Sequence, residues 1–170
     1  MLEVGAGNGY FTETFRDAFE ITVCDFSERM LRLHPARAKI AADANHLPFA
    51  DASFDVTFSG NLLHHLESPL VAVAEFARVA RHHVVLIEPN ALNPLMYAFG
   101  LIRPEERGSL KFTAKYLKRL GHDVGLRLRS FATQGAVLPN KAPTFALPLL
   151  NRIDGCWRLG FYHVAVFDVP

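Results

Sequence analysis

The chain has 170 residues and a mass of 19.0 kDa, the size of one compact domain with a single core. Half of its residues are hydrophobic and 21% are charged, a balance that excludes intrinsic disorder. The net charge of +1 argues against a protein that holds nucleic acid by bulk electrostatics. The two cysteines, Cys24 and Cys156, are too few for a disulfide framework, so we expect a reducing compartment, the cytoplasm.

The first two thirds of the chain alternate strand patterns with helical patterns. Strands are predicted over residues 1–4, 21–24, 39–42, 54–59 and 84–87. Apolar residues at helical spacing follow the first, second and fourth strands, over residues 11–19, 28–33 and 69–80. Ser27 and Ser68 stand at the N-cap positions of the second and third helices, and Pro69 occupies the first helical position. This alternation predicts parallel strands joined by helices.

The last third of the chain has a different pattern, in which strand follows strand. A helix is predicted over residues 113–120, closed by Gly121, and strands are predicted over 124–131 and 161–169. Two successive strands imply an antiparallel edge on a mostly parallel sheet, so the predicted fold class is a three-layer α/β domain. Its ligand is expected at the carboxyl ends of the first strands, near the point where the strand order reverses.

Two apolar segments, residues 91–102 and 131–150, lie in loop-like contexts. The first contains Asn93 and Pro94 and is shorter than the roughly 20 apolar residues that span a bilayer, so no transmembrane helix is predicted. We expect these segments to form an apolar pocket wall, with surplus core exposed at the surface as the alternative. The apolar residues concerned are Leu95, Met96, Tyr97, Phe99, Leu101, Phe145 and Leu147.

A glycine-rich turn follows the first strand. Gly5, Gly7 and Gly9 form the pattern G-x-G-x-G, which lets the backbone approach a ligand at a helix N-terminus. A dinucleotide fingerprint would have its third glycine where Tyr10 stands, and no Walker lysine follows, so pyrophosphate binding is disfavoured. Asp25 ends the second strand, where a carboxylate can accept hydrogen bonds from both hydroxyls of a ribose. The turn and the carboxylate together predict a ligand with an adenosine-type ribose.

Four motifs occur in order between Leu2 and Leu66. They are L-E-V-G-A-G-N-G at 2–9, V-C-D-F-S at 23–27 with M-L at 30–31, D-A at 43–44 with L-P-F at 47–49, and S-F-D-V at 53–56 with L-L-H-H-L at 62–66. Together they resemble the class I S-adenosylmethionine-dependent methyltransferases, in particular the type 11 group of small-molecule enzymes. The resemblance implies a Rossmann-like methyltransferase sheet and S-adenosylmethionine as the cofactor.

The resemblance also implies a set of cofactor-binding residues. The glycine turn packs against the methionine part of the cofactor, and Glu3 lies near its amino group. Asp25 binds the ribose hydroxyls, while Asp43 and the Ala44 backbone N–H address the adenine ring. An ordinary turn for the glycines, a turn cap for Asp43 and a structural role for Glu3 are the alternatives. The full set is Glu3, Gly5, Ala6, Gly7, Asn8, Gly9, Asp25, Phe26, Asp43, Ala44, Asn61 and Leu62.

The residues that follow the fourth strand are implied to adjoin the transferred methyl group. Asn61 and Leu62 line the floor beneath the methionine. His65 and His64 come next and are candidate general bases for an acceptor hydroxyl or acidic carbon, with capping or packing of the next helix as the alternative. Glu88 either faces the substrate or caps the turn that follows it. The eight histidines have no metal-type spacing, so no metal site is predicted.

The predicted function is methyl transfer from S-adenosylmethionine to a small, apolar acceptor, with nucleic acid excluded as the substrate. A noncatalytic S-adenosylmethionine-binding or interaction domain is one alternative, and a nucleotide-dependent oxidoreductase is a weaker one. Residues 1–170 are expected to form a single methyltransferase domain without the helix that usually precedes the first strand in this family. We therefore expect weak cofactor affinity and low or absent turnover for the chain alone, with a homodimer or a partner closing the site.

Overall fold

The computed structural model describes residues 1–135 and 158–170, which form one seven-stranded sheet with helices. The strands are β1 Leu2–Val4, β2 Thr22–Asp25, β3 Ala38–Ala41, β4 Phe54–Gly60, β5 Ala80–Pro89, β6 Arg127–Gln134 and β7 Tyr162–Asp168. The helices are α1 Tyr10–Phe15, α2 Glu28–Leu33, α3 Pro69–Val79, α4 Pro94–Ile102 and α5 Ala114–Asp123. Two 3-10 helices, Leu63–His65 and Pro104–Lys111, complete the described elements.

The strand order across the sheet is β3-β2-β1-β4-β5-β7-β6. The first five strands pair in parallel, and β7 pairs antiparallel with both β5 and β6. The order reverses between β1 and β4, which is where an open α/β sheet leaves a crevice for a ligand. The predicted fold class is confirmed, and the antiparallel pairing lies at one end of the sheet.

Apolar side chains cover both faces of the sheet. Val23 and Cys24 are adjacent in β2, so their side chains point to opposite faces, and each belongs to a different buried cluster. The larger cluster contains Phe76 of α3, Leu117 of α5 and Phe167 of β7, all fully buried. Two helices therefore pack on one face above the middle and the antiparallel end of the sheet. The result is the predicted three-layer arrangement.

Helix α4 corrects the prediction that residues 91–102 are loop-like. Asn93 caps this helix, because its side-chain oxygen accepts hydrogen bonds from the backbone N–H groups of Leu95 and Met96 at 2.9 and 3.0 Å. Pro94 occupies the first helical position, where its missing N–H costs nothing. Among the described residues, every helix is too short or too polar to cross a bilayer. Phe145 and Leu147, which were also predicted to form a pocket wall, lie outside the described residues, as does Cys156.

Helix α5 continues past its predicted end at Gly121. A Cβ atom at this position would lie 2.3 Å from the ring of Phe167, so the glycine allows the helix to approach the sheet closely. The chain leaves the helix after Asp123, and Gly125 adopts the left-handed conformation, with φ +84°. The glycine that ends the helix is therefore four residues later than predicted, and Gly121 has a packing role.

Candidate cofactor and acceptor site

The glycine turn after β1 lies at the carboxyl edge of the sheet and has the backbone conformation expected for close approach to a ligand. Gly5, Gly7 and Gly9 all have positive φ angles, of 73°, 52° and 87°. A Cβ atom at Gly5 would lie 2.8 Å from the Leu62 side chain, whereas one at Gly7 would meet nothing within 4 Å. The turn is thus packed against Leu62 at its start and open at its centre.

Asp25, the last residue of β2, holds this turn in place. One carboxylate oxygen accepts a hydrogen bond from the Gly7 N–H at 2.8 Å, and the other accepts from the Ser27 N–H at 2.8 Å. A carboxylate oxygen has two lone-pair directions, so each oxygen can accept a further bond from a ligand hydroxyl. Asp25, the residue predicted to bind the ribose hydroxyls, therefore lies directly beside the turn.

The predicted adenine-binding residues follow β3, at the same edge of the sheet. Asp43 accepts hydrogen bonds from the backbone and side-chain N–H groups of Asn45, at 2.8 and 3.0 Å, which is a local turn contact. Ala44 is buried, and Phe26, on the neighbouring turn, is 82% exposed. The strand order brings Asp43 next to Asp25, because β3 and β2 are adjacent and the Ala42 N–H donates to the Asp25 carbonyl at 3.1 Å.

Asn61 is the first residue after β4 and has two unusual features. Its φ angle is +57°, which is uncommon for a residue with a side chain. Its side-chain oxygen is buried without a hydrogen-bond partner among the described residues. A buried oxygen of this kind normally has a partner, so a polar group of a ligand would satisfy it. The role of Asn61 as a ligand-contacting residue stays a prediction.

A cavity of about 710 Å³ joins the glycine turn to helix α4. Its lining is mostly apolar and comes from the glycine turn, Asn61, α4 and the start of β7. The lining residues are Gly5, Ala6, Gly7, Asn8, Tyr10, Phe11, Gly60, Asn61, Leu95, Met96, Ala98, Phe99, Ile102, Phe161 and Tyr162. A mostly apolar cavity with few polar groups is typical of a small-molecule site.

Tyr10 and Tyr162 supply the phenol groups of this cavity. Burial raises the pKa of Tyr162, and the nearby Tyr10 and Glu106 raise it further, so its hydroxyl stays protonated and can donate a hydrogen bond at neutral pH. Sequence reasoning missed Tyr162. The signal was its place at the start of β7, because the first residue of an antiparallel strand lies at the same edge as the carboxyl ends of its parallel neighbours; here Tyr162 pairs with Pro89 at the end of β5.

Glu3 is buried in β1 and does not line the cavity. Its carboxylate accepts a hydrogen bond from the Thr12 hydroxyl, and that hydroxyl lies 3.1 Å from His34 Nε2. Burial raises the pKa of Glu3 to about 7, although the hydrogen bond from Thr12 acts in the opposite direction. The contacts of Glu3 are therefore those of a structural residue, and its place near the cofactor amino group stays a prediction.

The two predicted general bases lie in the 3-10 helix after Asn61, outside the cavity lining. His64 is buried between two carboxylates: its Nδ1 is 2.7 Å from Glu88 and its Nε2 is 3.2 Å from Glu106. Burial lowers the pKa of His64, but the hydrogen bonds and charges of both glutamates outweigh it and raise the pKa overall. His65 is exposed, with Nδ1 3.2 Å from the Glu105 carbonyl oxygen. Neither histidine lines the cavity, and their general-base role stays a prediction.

Glu88, at the end of β5, fixes the segment that carries these residues. One of its carboxylate oxygens accepts hydrogen bonds from the Leu62 and Leu63 N–H groups, at 3.1 and 2.7 Å. Glu88 itself is fully buried. Its bonds hold the backbone directly after Asn61, which is neither of the two roles predicted for it, a contact with the substrate or a cap of the turn that follows Glu88.

Comparisons with known proteins agree with this geometry. The profile of the family Methyltransf_11, described as a methyltransferase domain, matches residues 2–87, which span β1 to β5 and include the glycine turn, Asp25 and Asn61. The chain belongs to this methyltransferase family. The predicted resemblance to type 11 methyltransferases is therefore confirmed. Membership of the family implies S-adenosylmethionine as the cofactor, as the sequence analysis predicted.

Relatives of the methyltransferase chain include enzymes with named small-molecule activities. A demethylmenaquinone methyltransferase from Renibacterium salmoninarum is 34% identical over 110 residues, covering 62% of this chain and 46% of that protein. A malonyl-[acyl-carrier protein] O-methyltransferase from Hamiltonella defensa is 33% identical over 92 residues, covering 51% of this chain and 36% of that protein. The chain thus spans about half or less of the length of these curated relatives.

Solved structures extend the similarity in fold to the whole chain. A SAM-dependent methyltransferase from Thermotoga maritima has a TM-score of 0.80 at 17% identity, covering 99% of this chain and 81% of that one. A SAM-dependent methyltransferase from Archaeoglobus fulgidus has a TM-score of 0.71 at 18% identity, covering 98% and 84%. At these identities the similarity establishes a common fold, which includes β6, β7 and the helices beyond the family match.

Proposed function

We propose that the chain binds S-adenosylmethionine at the glycine turn and transfers its methyl group to a small, apolar acceptor held against α4. One observation carries the proposal: one cavity of about 710 Å³ is lined both by the glycine turn with Asn61 and by apolar side chains of α4. A cavity of this size accommodates a cofactor end and an acceptor side by side. Methyl transfer needs these two in line and shielded from water, because alignment of the reacting atoms supplies much of the rate acceleration.

The proposed cofactor contacts follow the carboxyl edge of the four strands β3, β2, β1 and β4. Gly5 to Gly9, Asn61 and Leu62 surround the methionine part, and the unpartnered Asn61 oxygen accepts from its amino group. Asp25 accepts from the ribose hydroxyls with the lone pairs that Gly7 and Ser27 leave free. Asp43 and the Ala44 N–H bind the adenine ring. Phe26 is exposed beside Asp25, where a ring can cover the adenosine. S-adenosylmethionine supplies the electrophilic methyl group when bound.

The proposed acceptor is one whose nucleophile ionises without a strong base. Among the described residues that line the cavity, none carries an imidazole, a carboxylate or an amine. The Tyr10 and Tyr162 phenols can instead donate hydrogen bonds that orient the acceptor. The apolar wall formed by Leu95, Phe99 and Ile102 favours a flat or aliphatic molecule over a charged one. The small-molecule activities named for the relatives are in line with this acceptor class.

We further propose that the chain acts on a small molecule, forms a homodimer and resides in the cytoplasm. The near-neutral charge supports a small molecule, with nucleic acid excluded as the substrate. Helix α4 and the turn before it carry several exposed apolar residues, among them Leu92 in the turn and Leu101 in the helix, at 61% and 53% exposure. This exposed apolar surface supports a homodimer. The low cysteine content supports the cytoplasm as the compartment. Sedimentation at two protein concentrations tests the homodimer.

Calorimetric titration tests the cofactor part of the proposal. S-adenosylmethionine and S-adenosylhomocysteine should bind more tightly than NAD, and Asp25→Ala should weaken S-adenosylhomocysteine binding by about 100-fold, since each ribose hydroxyl loses a charged partner. Asp55→Ala is the matched control, because this exposed aspartate of β4 pairs with Arg81 away from the cavity. Thermal unfolding checks that both variants fold. Tighter binding of NAD would contradict the proposal and favour an oxidoreductase.

Incubation with methyl-labelled S-adenosylmethionine and fractionated cell extract tests the transfer step. Label is expected in a small apolar compound, and chemical identification of that compound defines the acceptor. Label recovered chiefly in nucleic acid would contradict the proposed acceptor class. Cofactor binding without transfer to any fraction would contradict catalysis and support the noncatalytic binding domain.

A further inference from the structure

The two 3-10 helices bring together three potential metal ligands that are far apart in the sequence. A ring nitrogen of His64, a ring nitrogen of His65 and a carboxylate oxygen of Glu106 all lie within 4.8 Å of one another. Gly108 allows this approach, because a Cβ atom there would lie 1.7 Å from the His64 carbonyl oxygen. The cluster therefore depends on close packing of the segment 104–111 against the segment 63–65. It lies outside the cavity proposed for cofactor and acceptor.

One pair of the donor atoms has the spacing of two ligands on a small divalent cation. His64 Nε2 and Glu106 Oε2 are 3.2 Å apart. Two ligands of a tetrahedral Zn²⁺ ion are about 3.3 Å apart, because each lies roughly 2.0–2.2 Å from the metal. Two imidazoles and one carboxylate are also a donor set that zinc uses, with the fourth position left open to water. His65 is exposed and Glu106 is partly exposed, so an ion can reach the cluster from solvent.

Glu88 provides the outer contact that a metal-bound histidine usually has. Its carboxylate lies 2.7 Å from His64 Nδ1, which leaves Nε2 directed at Glu106. The Leu62 and Leu63 N–H groups hold the other oxygen of Glu88, so the ring of His64 is fixed from behind. The Glu88 carboxylate, the His64 ring and the Glu106 carboxylate thus follow one another in the order of an outer carboxylate, a histidine and a further ligand in zinc sites.

The charges around His64 also favour a bound cation. Glu88 and Glu106 both face this one imidazole, and among residues 1–135 and 158–170 no lysine or arginine forms an ion pair with either carboxylate. Even a fully charged imidazolium would leave one negative charge in a largely buried cluster. A divalent cation bound to neutral imidazoles would balance both carboxylates.

We propose that His64, His65 and Glu106 form a binding site for Zn²⁺ or a chemically similar divalent cation, with Glu88 orienting His64. The ion joins the segment 104–111 to the segment 63–65 and so fixes the end of α4, the wall of the acceptor cavity. Sequence spacing could not indicate this site, because Glu106 lies 42 positions after His64. The proposal does not depend on the proposed methyl transfer.

Titration of the chelator-treated protein with Co²⁺ and Zn²⁺ tests this site without any assay of activity. Co²⁺ should bind with one equivalent and give the visible absorption of a four-coordinate nitrogen and oxygen site, and Zn²⁺ should displace it. His65→Gln and Glu106→Gln should each weaken Co²⁺ binding by at least about tenfold. These two positions are used because their side chains are not fully buried, so the variants should fold.

His122→Gln is the matched control, since His122 is an exposed histidine beside the carboxylate of Asp123 and lies outside the cluster. It should bind Co²⁺ as the unmodified protein does. Equal Co²⁺ affinity in all three variants, or no stoichiometric binding at all, would overturn the proposed metal site. His64 would then only form hydrogen bonds with Glu88 and Glu106. Zn²⁺ should also raise the melting temperature of the unmodified protein and not that of Glu106→Gln. S-adenosylhomocysteine binding, measured on the same samples, reports separately on the cofactor site.

Discussion

The two halves of the sheet's carboxyl edge are built in different ways. The cofactor half comprises the turns after β1, β2, β3 and β4. It is held by hydrogen bonds between residues that are close in the sequence, such as Gly7 and Asp25, 18 positions apart. The acceptor half comprises α4, the 3-10 helix 104–111 and the start of β7. Its anchors reach much further along the chain: the Asn90 side chain donates to the Gly160 carbonyl at 2.8 Å, across 70 positions.

Because of this difference, acceptor specificity can change without loss of the cofactor site. In the cofactor half the backbone itself makes the site, through positive φ angles and N–H groups aimed at one carboxylate. In the acceptor half the site is a surface of side chains on a helix that distant residues hold in place, such as Asn93, whose amide donates to the Leu159 carbonyl. Side chains on such a helix can be exchanged while the backbone of the turn is left unchanged.

Alanine substitution of one glycine in each half should separate the two designs. Gly108→Ala, in the acceptor half, should lower the free energy of unfolding by about 3 kcal/mol, because its Cβ would meet the His64 carbonyl oxygen and the backbone must move. Gly7→Ala, in the cofactor half, should lower it by only about 1 kcal/mol, because the cost there is the left-handed backbone conformation, with open space around the Cβ.

Urea denaturation at one pH measures both changes. S-adenosylhomocysteine titration adds a second contrast: Gly7→Ala should weaken binding through the altered turn, whereas Gly108→Ala should leave the affinity nearly unchanged in the folded fraction. A larger loss of stability for Gly7→Ala than for Gly108→Ala would show that the glycines of the two halves do not differ in this way.

The pH dependence of stability should have opposite signs in the two halves. Glu3, in the cofactor half, has its pKa raised by burial from 4.5 to about 7, so its contribution is complete below pH 4.5 and is lost as pH rises to 7. His163 of β7 has its pKa lowered, by burial and then by Lys118, from 6.5 to about 4. Its contribution is complete above pH 6.5 and is lost as pH falls to 4.

Two substitutions isolate these slopes between pH 4.5 and 6.5. Glu3→Gln leaves the His163 contribution, so the free energy of unfolding should rise across this range by about 2–3 kcal/mol relative to the unmodified protein. His163→Gln leaves the Glu3 contribution, so the same quantity should fall by a similar amount. Denaturant titrations at half-unit pH steps give both curves. Parallel curves for the two variants would contradict the assignment of opposite shifts to these groups.

The cofactor half could be predicted from the sequence because its signals are local. The glycine spacing identified the turn, the end of the second strand identified Asp25, and the family resemblance implied Asn61; the structure places all three along one edge. Helix α4 was missed although the pair Asn93 and Pro94 is the same kind of start signal as Ser68 and Pro69. The side of this helix that lines the cavity is apolar, in addition to the side that packs against the fold. With apolar residues on every side, the sequence of α4 lacks the helical period.

The rest of the acceptor half could not be predicted because it depends on the position of β7. Tyr162 lines the cavity because β7 lies between β5 and β6 in the sheet. No local sequence pattern specifies that β7 pairs with these two strands. Glu106 reaches His64 through packing of two short 3-10 helices, across 42 positions. Glu88 was singled out from its place at a strand end, but its partners, the Leu62 and Leu63 N–H groups, follow from the fold alone.

Polar substitutions on the outer part of α4 should have the smallest effect on stability. Leu95→Ser and Ile102→Ser change residues that are 65% and 76% exposed, so the free energy of unfolding should change by less than about 0.5 kcal/mol. S-adenosylhomocysteine affinity should also stay the same. Transfer of label to the apolar acceptor should fall by about fivefold to tenfold, since each serine removes apolar contact with the acceptor.

Leu33→Ser is the control for this pair, because Leu33 is 80% exposed at the end of α2, in the cofactor half, and does not line the cavity. It should change neither stability nor transfer. Similar transfer by all three variants would show that the acceptor does not rest on α4, and the division into a cofactor half and an acceptor half would then need to be redrawn.

The insertion of β7 also determines when the sheet can be completed during synthesis. Among residues 1–135 and 158–170, β6 pairs with β7 alone and β7 is the strand that covers the outer edge of β5, so this edge stays open until Tyr162–Asp168 leave the ribosome. The open edge belongs to an apolar strand whose Val84 and Leu86 are fully buried in the finished fold. Unpaired apolar edges template association with other chains. A nascent chain arrested between β5 and β7 is therefore more prone to association than the finished fold.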